Sequence, residues 1–299
     1  MFRSANTLAR AFTRPLIMSR MTVSGACSAS IGAFVVVNGD GWIVTAAHIL
    51  DHILAMSHEE REYLQHQRKE SEIRADTALD EKSRRRQLQA LGKLRPDGTA
   101  RASAWFAGVG DSLEQITRIS AVDLGIAKLT NFVSAHITSY PKFKADGPDC
   151  VPGASLCKLG FPFYQGRPSW DDVAGVFSYP PQDLSPCCFP MEGIFTRTQQ
   201  VIPQDAEGNA ISSPFPLEYL ETSTPGLKGQ SGGPIFDVNG TIWALQCLTT
   251  HIPLGFSPPV TINGKESVEH QFINLGMGPS AKTITAVLTD LGISFDSAA

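Results

Sequence analysis

The stretch LKGQSGGPIF, residues 227–236, sets Ser231 among glycines just ahead of an apolar run. A serine hydroxyl is a weak nucleophile at neutral pH. It needs a base within hydrogen-bond reach, a group that orients the base, and donors for the oxyanion that develops. Gly229 frees the backbone to turn, so that its own N–H and that of Ser231 can aim at one spot. Two such donors are worth roughly 3 kcal/mol each. Gly232 and Gly233 leave room for a substrate. Taken alone, the segment reads equally well as a flexible turn. Two other residues supply the missing groups. His48 ends the strand-like run IVTAAH, residues 43–48, where it can reach into a cleft. Asp123 opens the apolar run DLGIAKL, residues 123–129, where an unpaired carboxylate is costly. A lone histidine or aspartate at such a place is ordinarily a satisfied core, surface or turn residue. In the order His48, Asp123, Ser231, the three provide base, orienter and nucleophile.

These side chains need a frame. The run IGAFVVVNGDGWIVTAAHIL reads as two strands, Val35–Val37 and Trp42–Val44, joined through Asn38-Gly39-Asp40-Gly41, residues that tolerate positive φ. Further short strands are expected in SAWFAGV, LGIAKL, SLCKLGF, GIFTRTQQVI, LEYLETS, PIFDVNGTIWALQCL and QFINLGMG. Many short strands punctuated by Gly and Pro indicate an all-β sandwich or barrel. Two segments break that pattern. Residues 51–95 are polar and helix-forming, with only scattered apolar positions such as Leu64, Ile73, Leu79, Leu88 and Leu91. Such a segment is a solvated helical insertion and a candidate surface for a protein partner; Arg84-Arg85-Arg86 could meet an acidic one. Residues 280–293 form the second break, a helix capped by Ser280, with Ile284, Val287, Leu288 and Leu291 on one stripe and Gly292 as terminator. The Pro/Gly/charge-rich stretch 139–153 reads as a linker. The expected division is a basic extension over 1–22, a first β-unit over 23–138 carrying the insertion, the linker, a second β-unit over 154–279, and a helix with tail over 280–299.

Composition bounds the function. The 299 residues carry a net charge of −4 with pI near 6.0, so there is no global basic footprint for nucleic acid. No apolar run is long enough for a membrane span. The cysteines, Cys27, Cys150, Cys157, Cys187, Cys188 and Cys247, lack zinc-ligand spacing, and the histidines do not cluster with them. No metal or cofactor is expected. A chain this long does not need disulfide staples, which favours thiols and a cytoplasmic location. The alternative is mitochondrial: residues 1–22 contain Arg3, Arg10, Arg14 and Arg20 and no acid, the composition of a transit peptide.

With TAAHIL, DLGIAKL and GQSGGPIF in this order, the chain resembles the chymotrypsin-fold, trypsin-like serine peptidases. SLCKLGFPF, SGGPIFDVNGTIWALQ and INLGMGPSAKTI bring it closer to the bacterial HtrA-type catalytic domain. The resemblance spans roughly residues 30–50 and 104–291. It implies an all-β fold of two six-stranded antiparallel barrels with the active site between them, a polar helical insertion in the first barrel and a C-terminal helix. It implies His48, Asp123 and Ser231 as the triad, the N–H groups of Gly229 and Ser231 as the oxyanion hole, and Cys247-Leu248-Thr249 as the strand that pairs with substrate. Several positions depart from the digestive relatives. Gln230 stands where they carry an acid that pairs with a freed N-terminus. Ile49 follows His48, so the disulfide flanking the base is absent. No PDZ-like domain is expected after residue 299.

At the specificity pocket, the position six residues before the serine is Pro225, followed by Gly226. Gln246 stands where a glutamate-reading relative would place histidine. Pro225, Gly226, Gln246, Cys247, Leu248 and Thr249 offer no full charge, which predicts an uncharged residue before the scissile bond, unless Glu218, Glu221, Lys228 or His251 swings in. The reading is a serine endopeptidase acting on proteins or peptides, regulated through the insertion. Two alternatives stay open: a non-catalytic binding module on a protease fold, and a hydrolase of small esters or amides.

Overall fold

Residues Thr13–Thr22 (β1) and Cys27–Val36 (β2) pair antiparallel across a turn that Gly25 closes at φ +89°. This is the computed structural model of the chain, and it describes residues 1–147, 150–205, 207–262 and 264–298. The segment 1–22, expected as a basic extension, is therefore part of the fold. Its apolar run Leu16-Ile17-Met18 is buried, while Arg14 and Arg20 lie at the margins. The preceding helix α1, Arg3–Phe12, buries Ala5, Ala9 and Phe12.

Trp42–Ala46 (β3), Thr99–Trp105 (β4), Leu113–Ile119 (β5) and Leu124–Leu129 (β6) complete a first sheet of order β4-β1-β2-β3-β6-β5. Its end strands β4 and β5 are not hydrogen-bonded to each other, so the sheet is a half-barrel. Between β3 and β4 run α2, Ala47–Ala75, and α3, Glu81–Leu91. The helical insertion thus starts at Ala47, not at residue 51, and His48 lies in its first turn. Only Ala47, Ile49, Leu50 and Met56 of α2 are buried, and α3 buries nothing, as its polar composition predicts.

The second sheet has nine strands where six were expected. They are Lys142–Lys144 (β7), Ser155–Gly160 (β8), Phe189–Gln200 (β11), Glu218–Thr222 (β12), Pro234–Phe236 (β13), Ile242–Leu245 (β14), Leu248–Pro253 (β15), Phe272–Pro279 (β18) and Asp296–Ala298 (β19). Their order is β15-β18-β12-β11-β8-β13-β14-β7-β19. The extra strands come from segments expected to be irregular. β7 lies in the linker and β19 in the tail, and both pair parallel at the far edge. Phe143 drives this, since it is fully buried in contact with Phe295. Two separate hairpins, Ser169–Asp171 (β9) with Val176–Ser178 (β10) and Pro259–Ile262 (β16) with Lys265–Val268 (β17), project from the sheet. Helix α4, Ala281–Asp290, begins where the Ser280 hydroxyl accepts from Thr283 N–H at 3.2 Å and ends at Gly292, φ +67°. One continuous apolar core runs from Phe34, Ile43 and Leu124 in the first sheet to Phe236, Ile242 and Leu288 over the second. Among the described residues, no helix is long and apolar enough to cross a membrane.

Candidate active site

The register of β3 against β6 decides where the first two functional side chains meet. Ala46 faces Leu124 and Thr45 faces Gly125. The chain leaving β3 therefore passes the residue entering β6, and Ala47 N–H donates to Asp123 O at 3.0 Å. Asp123 follows the short turn Ser120–Val122 in the left-handed region, φ 52°, ψ 40°, which aspartate tolerates better than most residues. Its carboxylate accepts twice from one residue: His48 N–H reaches Oδ1 at 2.9 Å, and His48 Nδ1 reaches Oδ2 at 2.7 Å. Asp123 thus satisfies an orphan donor at the start of α2 and fixes the ring at once. With Nδ1 donating, Nε2 is left as the acceptor. The His48 side chain is 51% exposed and that of Asp123 19%. The Asp123 hydrogen bond raises the His48 pKa above its ordinary value, against the opposing pull of desolvation.

Ser231 comes from the loop before β13. Its carbonyl accepts from Ala33 N–H of β2 at 2.8 Å, which ties the loop to the first sheet. Gly232, φ +81°, sits against Ala33 O, Thr45 Oγ1 and Ala46 N, where a side chain would have no space. Ser231 is so held beside the strand ends that deliver His48. No hydrogen bond joins the Ser231 hydroxyl to His48 among the described residues.

The turn before the serine is self-supporting. Gln230 N–H donates to Leu227 O at 2.8 Å, and Leu227 N–H donates to the Gln230 side-chain Oε1 at 2.9 Å. Fully buried Gln230 occupies the place of the acid in the digestive relatives, and it holds the turn by an amide cap. Gly229 adopts φ +97°, and its carbonyl accepts from Phe161 N–H at 2.9 Å. The N–H groups of Gly229 and Ser231 donate to no acceptor among the described residues, as an oxyanion hole requires.

The remaining residues singled out in the sequence surround the serine. β15 is an end strand of the second sheet, paired only with β18, so Leu248 and Thr249 keep a ladder edge open. Thr249 Oγ1 accepts from Gly226 N–H at 2.9 Å and donates to Gly226 O at 3.0 Å, which bridges two walls of the pocket. The buried Cys247 thiol donates to Asp123 O at 3.4 Å, and burial pushes its pKa well up. Of the acids upstream of Ser231, Glu218 accepts from Gln200 and Ser280, and Glu221 is held by Thr196, Arg197 and Gln199. His251 bonds Asn274. Lys158 carries no signal in the sequence that marks it as part of the pocket. Its side chain, fully buried, runs from β8 to the carbonyls of Thr224 and, at 3.1 Å, Pro225.

A serine loop tied to β2 thus lies against the β3 end that leads into a hydrogen-bonded histidine–aspartate pair. Compared with protein families, residues 32–245 match the trypsin-like peptidase domain. The chain belongs to that family and is a serine protease. Among solved structures it resembles the Rv3671c protease from M. tuberculosis in its active form, at 12% identity over 99% of this chain and 88% of that one, with a TM-score of 0.45. It also resembles the HtrA-type protease AlgW with tripeptide, at 13% identity over 98% of this chain and a TM-score of 0.43. The chain spans 65% of the AlgW chain. Comparison with curated proteins returns no match.

Proposed function

We propose that the protein is an endopeptidase in which Ser231 attacks the peptide carbonyl with His48 as base. The observation that carries this reading is the pair of hydrogen bonds from His48 to Asp123. They leave Nε2 to take the serine proton, and the Asp123 carboxylate stabilises the imidazolium that forms. The tetrahedral oxyanion would sit between the N–H groups of Gly229 and Ser231. Collapse would expel the amine, protonated by His48, and leave an acyl-enzyme on Ser231. Water activated by the same imidazole would then release the acid. Substrate backbone would add to the open edge of β15. Cys27, Cys157, Cys187, Cys188 and Cys247 carry free thiols, which supports a reducing compartment such as the cytoplasm. The polar faces of α2 and α3 are the surface through which a protein partner would regulate the site.

The test uses a serine-directed fluorophosphonate and a peptide library on the wild type and Ser231→Ala. Labelling and peptide turnover are expected in the wild type. Ser231→Ala should lose labelling altogether, and turnover should fall by roughly 10⁴-fold or more, since triad members act as a unit. Turnover within tenfold of the wild type would overturn the triad. Labelling with turnover of small esters only would favour the hydrolase alternative.

A further inference from the structure

Pro225, Gly226 and residues 246–249 carry no charge. The fold adds one from elsewhere. Lys158 projects from β8, the neighbour of β11 and β13, and ends at the pocket floor, where its ammonium donates to Thr224 O and Pro225 O. Pro225 is the floor position that relatives use to read the substrate side chain. No carboxylate pairs with the ammonium among the described residues, and its environment acts on it through desolvation alone. A buried lysine without a carboxylate is an expensive feature that packing does not require.

The surroundings of Nζ point to a ligand. Gly276 of β18 lies opposite. A Cβ built on it would collide with Lys158 Nζ and lie 2.6 Å from Gln246 Oε1. The amide of Gln246 spans from Gly226 to Gly276, with its Nε2 donating to Leu248 O at 2.7 Å and to Met277 O at 3.3 Å. Gln246 Oε1 is buried and has no hydrogen-bond partner. Ammonium and amide oxygen thus meet at Gly276, next to the open edge of β15, and the amide oxygen has no partner.

Resting on the peptidase reading above, we propose that Lys158 determines specificity and that the enzyme cleaves after acidic residues, whose carboxylate displaces the Gln246 amide and accepts from Lys158 Nζ. Each part of the pocket then has a use. The Gln246 amide fills the space beside Gly226 and Gly276, so its displacement opens room for the side chain, Thr249 closes the wall, and the ammonium gains the anion it lacks. Burial holds the Lys158 pKa down at about 7, so binding of a carboxylate also draws a proton onto the lysine near neutrality.

The experiment compares fluorogenic peptides identical except for Glu, Asp, Gln, Leu or Arg before the scissile bond, on the wild type and Lys158→Met. The wild type is expected to favour Glu or Asp over Gln by at least about 100-fold in kcat/KM. Lys158→Met should erase that ratio by lowering kcat/KM for Glu and Asp far more than for Gln and Leu. Labelling without acidic preference overturns the pocket assignment and leaves the peptidase reading intact; absence of labelling in the wild type overturns the peptidase reading itself. A pH series on the wild type covers the case in which Lys158→Met does not fold. No titratable group faces Lys158 from β12, β18 or the 223–230 loop among the described residues, and His48 acts equally on both substrates. The Glu-to-Gln ratio should therefore fall as pH rises through about 7. A ratio flat from pH 6 to 9 (roughly the range His48 chemistry allows) would count against the proposal.

Discussion

At the scale of single residues, the Asp123 carboxylate carries two tasks, capping α2 and orienting His48. A base must be neutral to accept a proton. Because Asp123 raises the His48 pKa, the rate of labelling by a small fluorophosphonate should rise with pH and level off with a midpoint above the ordinary histidine value of about 6.5. Asp123→Asn should lower that midpoint and cut turnover by on the order of 10⁴-fold, the magnitude known for a relative of this family. A pH series of labelling rates on both proteins measures the two effects separately. Gly229 offers an independent test of the oxyanion donors. Its φ of +97° is one a side chain rarely adopts, and a Cβ there would lie 2.5 Å from Phe161 O. Gly229→Ala should therefore turn the peptide away, with a loss of about 10²–10³-fold in kcat and little change in substrate affinity. Equal losses in kcat and in affinity for a product peptide would show a distorted pocket instead.

At the scale of elements, the insertion separates into two parts. Ile49, Leu50 and Met56 bind the first part of α2 to the sheet, and Glu59 continues it by accepting from Thr99 N–H at 3.0 Å. Beyond Tyr63, over which the Arg101 guanidinium lies at 5.4 Å, no residue from 67 to 91 is buried. His66 Nε2 meets Gly92 O at 3.1 Å, so the chain leaves and returns at nearly one point. Replacing residues 67–91 by a short Gly/Ser linker should leave the thermal midpoint and fluorophosphonate labelling unchanged, whereas removal from residue 55 should abolish folding by exposing the core under Met56. Circular dichroism melts and gel labelling decide both. What the sequence discloses about elements follows from where the signal lies. LGIAKL is β6 to the residue, because a buried run bounded by Asp and Thr has one reading. β1 is hidden by its arginines, which suggested a leader. β7 and β19 are hidden because three-residue strands carry no alternation, and their pairing is set by one phenylalanine contact across the chain. The residues proposed as the triad stand out in the sequence because their motifs are local. Lys158 does not, because a lysine within an apolar strand gives no sign of where its ammonium ends.

At the scale of the whole molecule, the proposed triad is split between the two sheets, so activity depends on how they are fixed to each other. Ala33 N–H to Ser231 O is one tie, and Asn38 Nδ2 to Ser294 O at 2.8 Å is another, joining the β2–β3 turn to the tail. Tyr219 of β12 adds a third, its hydroxyl donating to Ala121 O at 3.3 Å just before Asp123. Helix α1 acts as a brace across the same gap. It runs directly into β1 of the first sheet, yet it packs on β8 and β13 of the second. Phe2 meets the ring of Phe236 edge-on at 6.3 Å, and Leu8 covers Gly240. Removing residues 1–12 would leave every strand pairing of both sheets in place apart from the Thr13 end of β1, so far-UV dichroism should be nearly preserved. The placement of Ser231 relative to His48 would lose one of its supports, and a shift of about 1 Å in such a pair costs roughly 10²-fold. The truncated protein is therefore expected to label with fluorophosphonate about 100-fold more slowly than the full chain while remaining folded. Equal labelling rates would mean that the hydrogen bonds at Ser231, Asn38 and Tyr219 suffice, and that α1 contributes burial of Phe12 and nothing to the register of the active site.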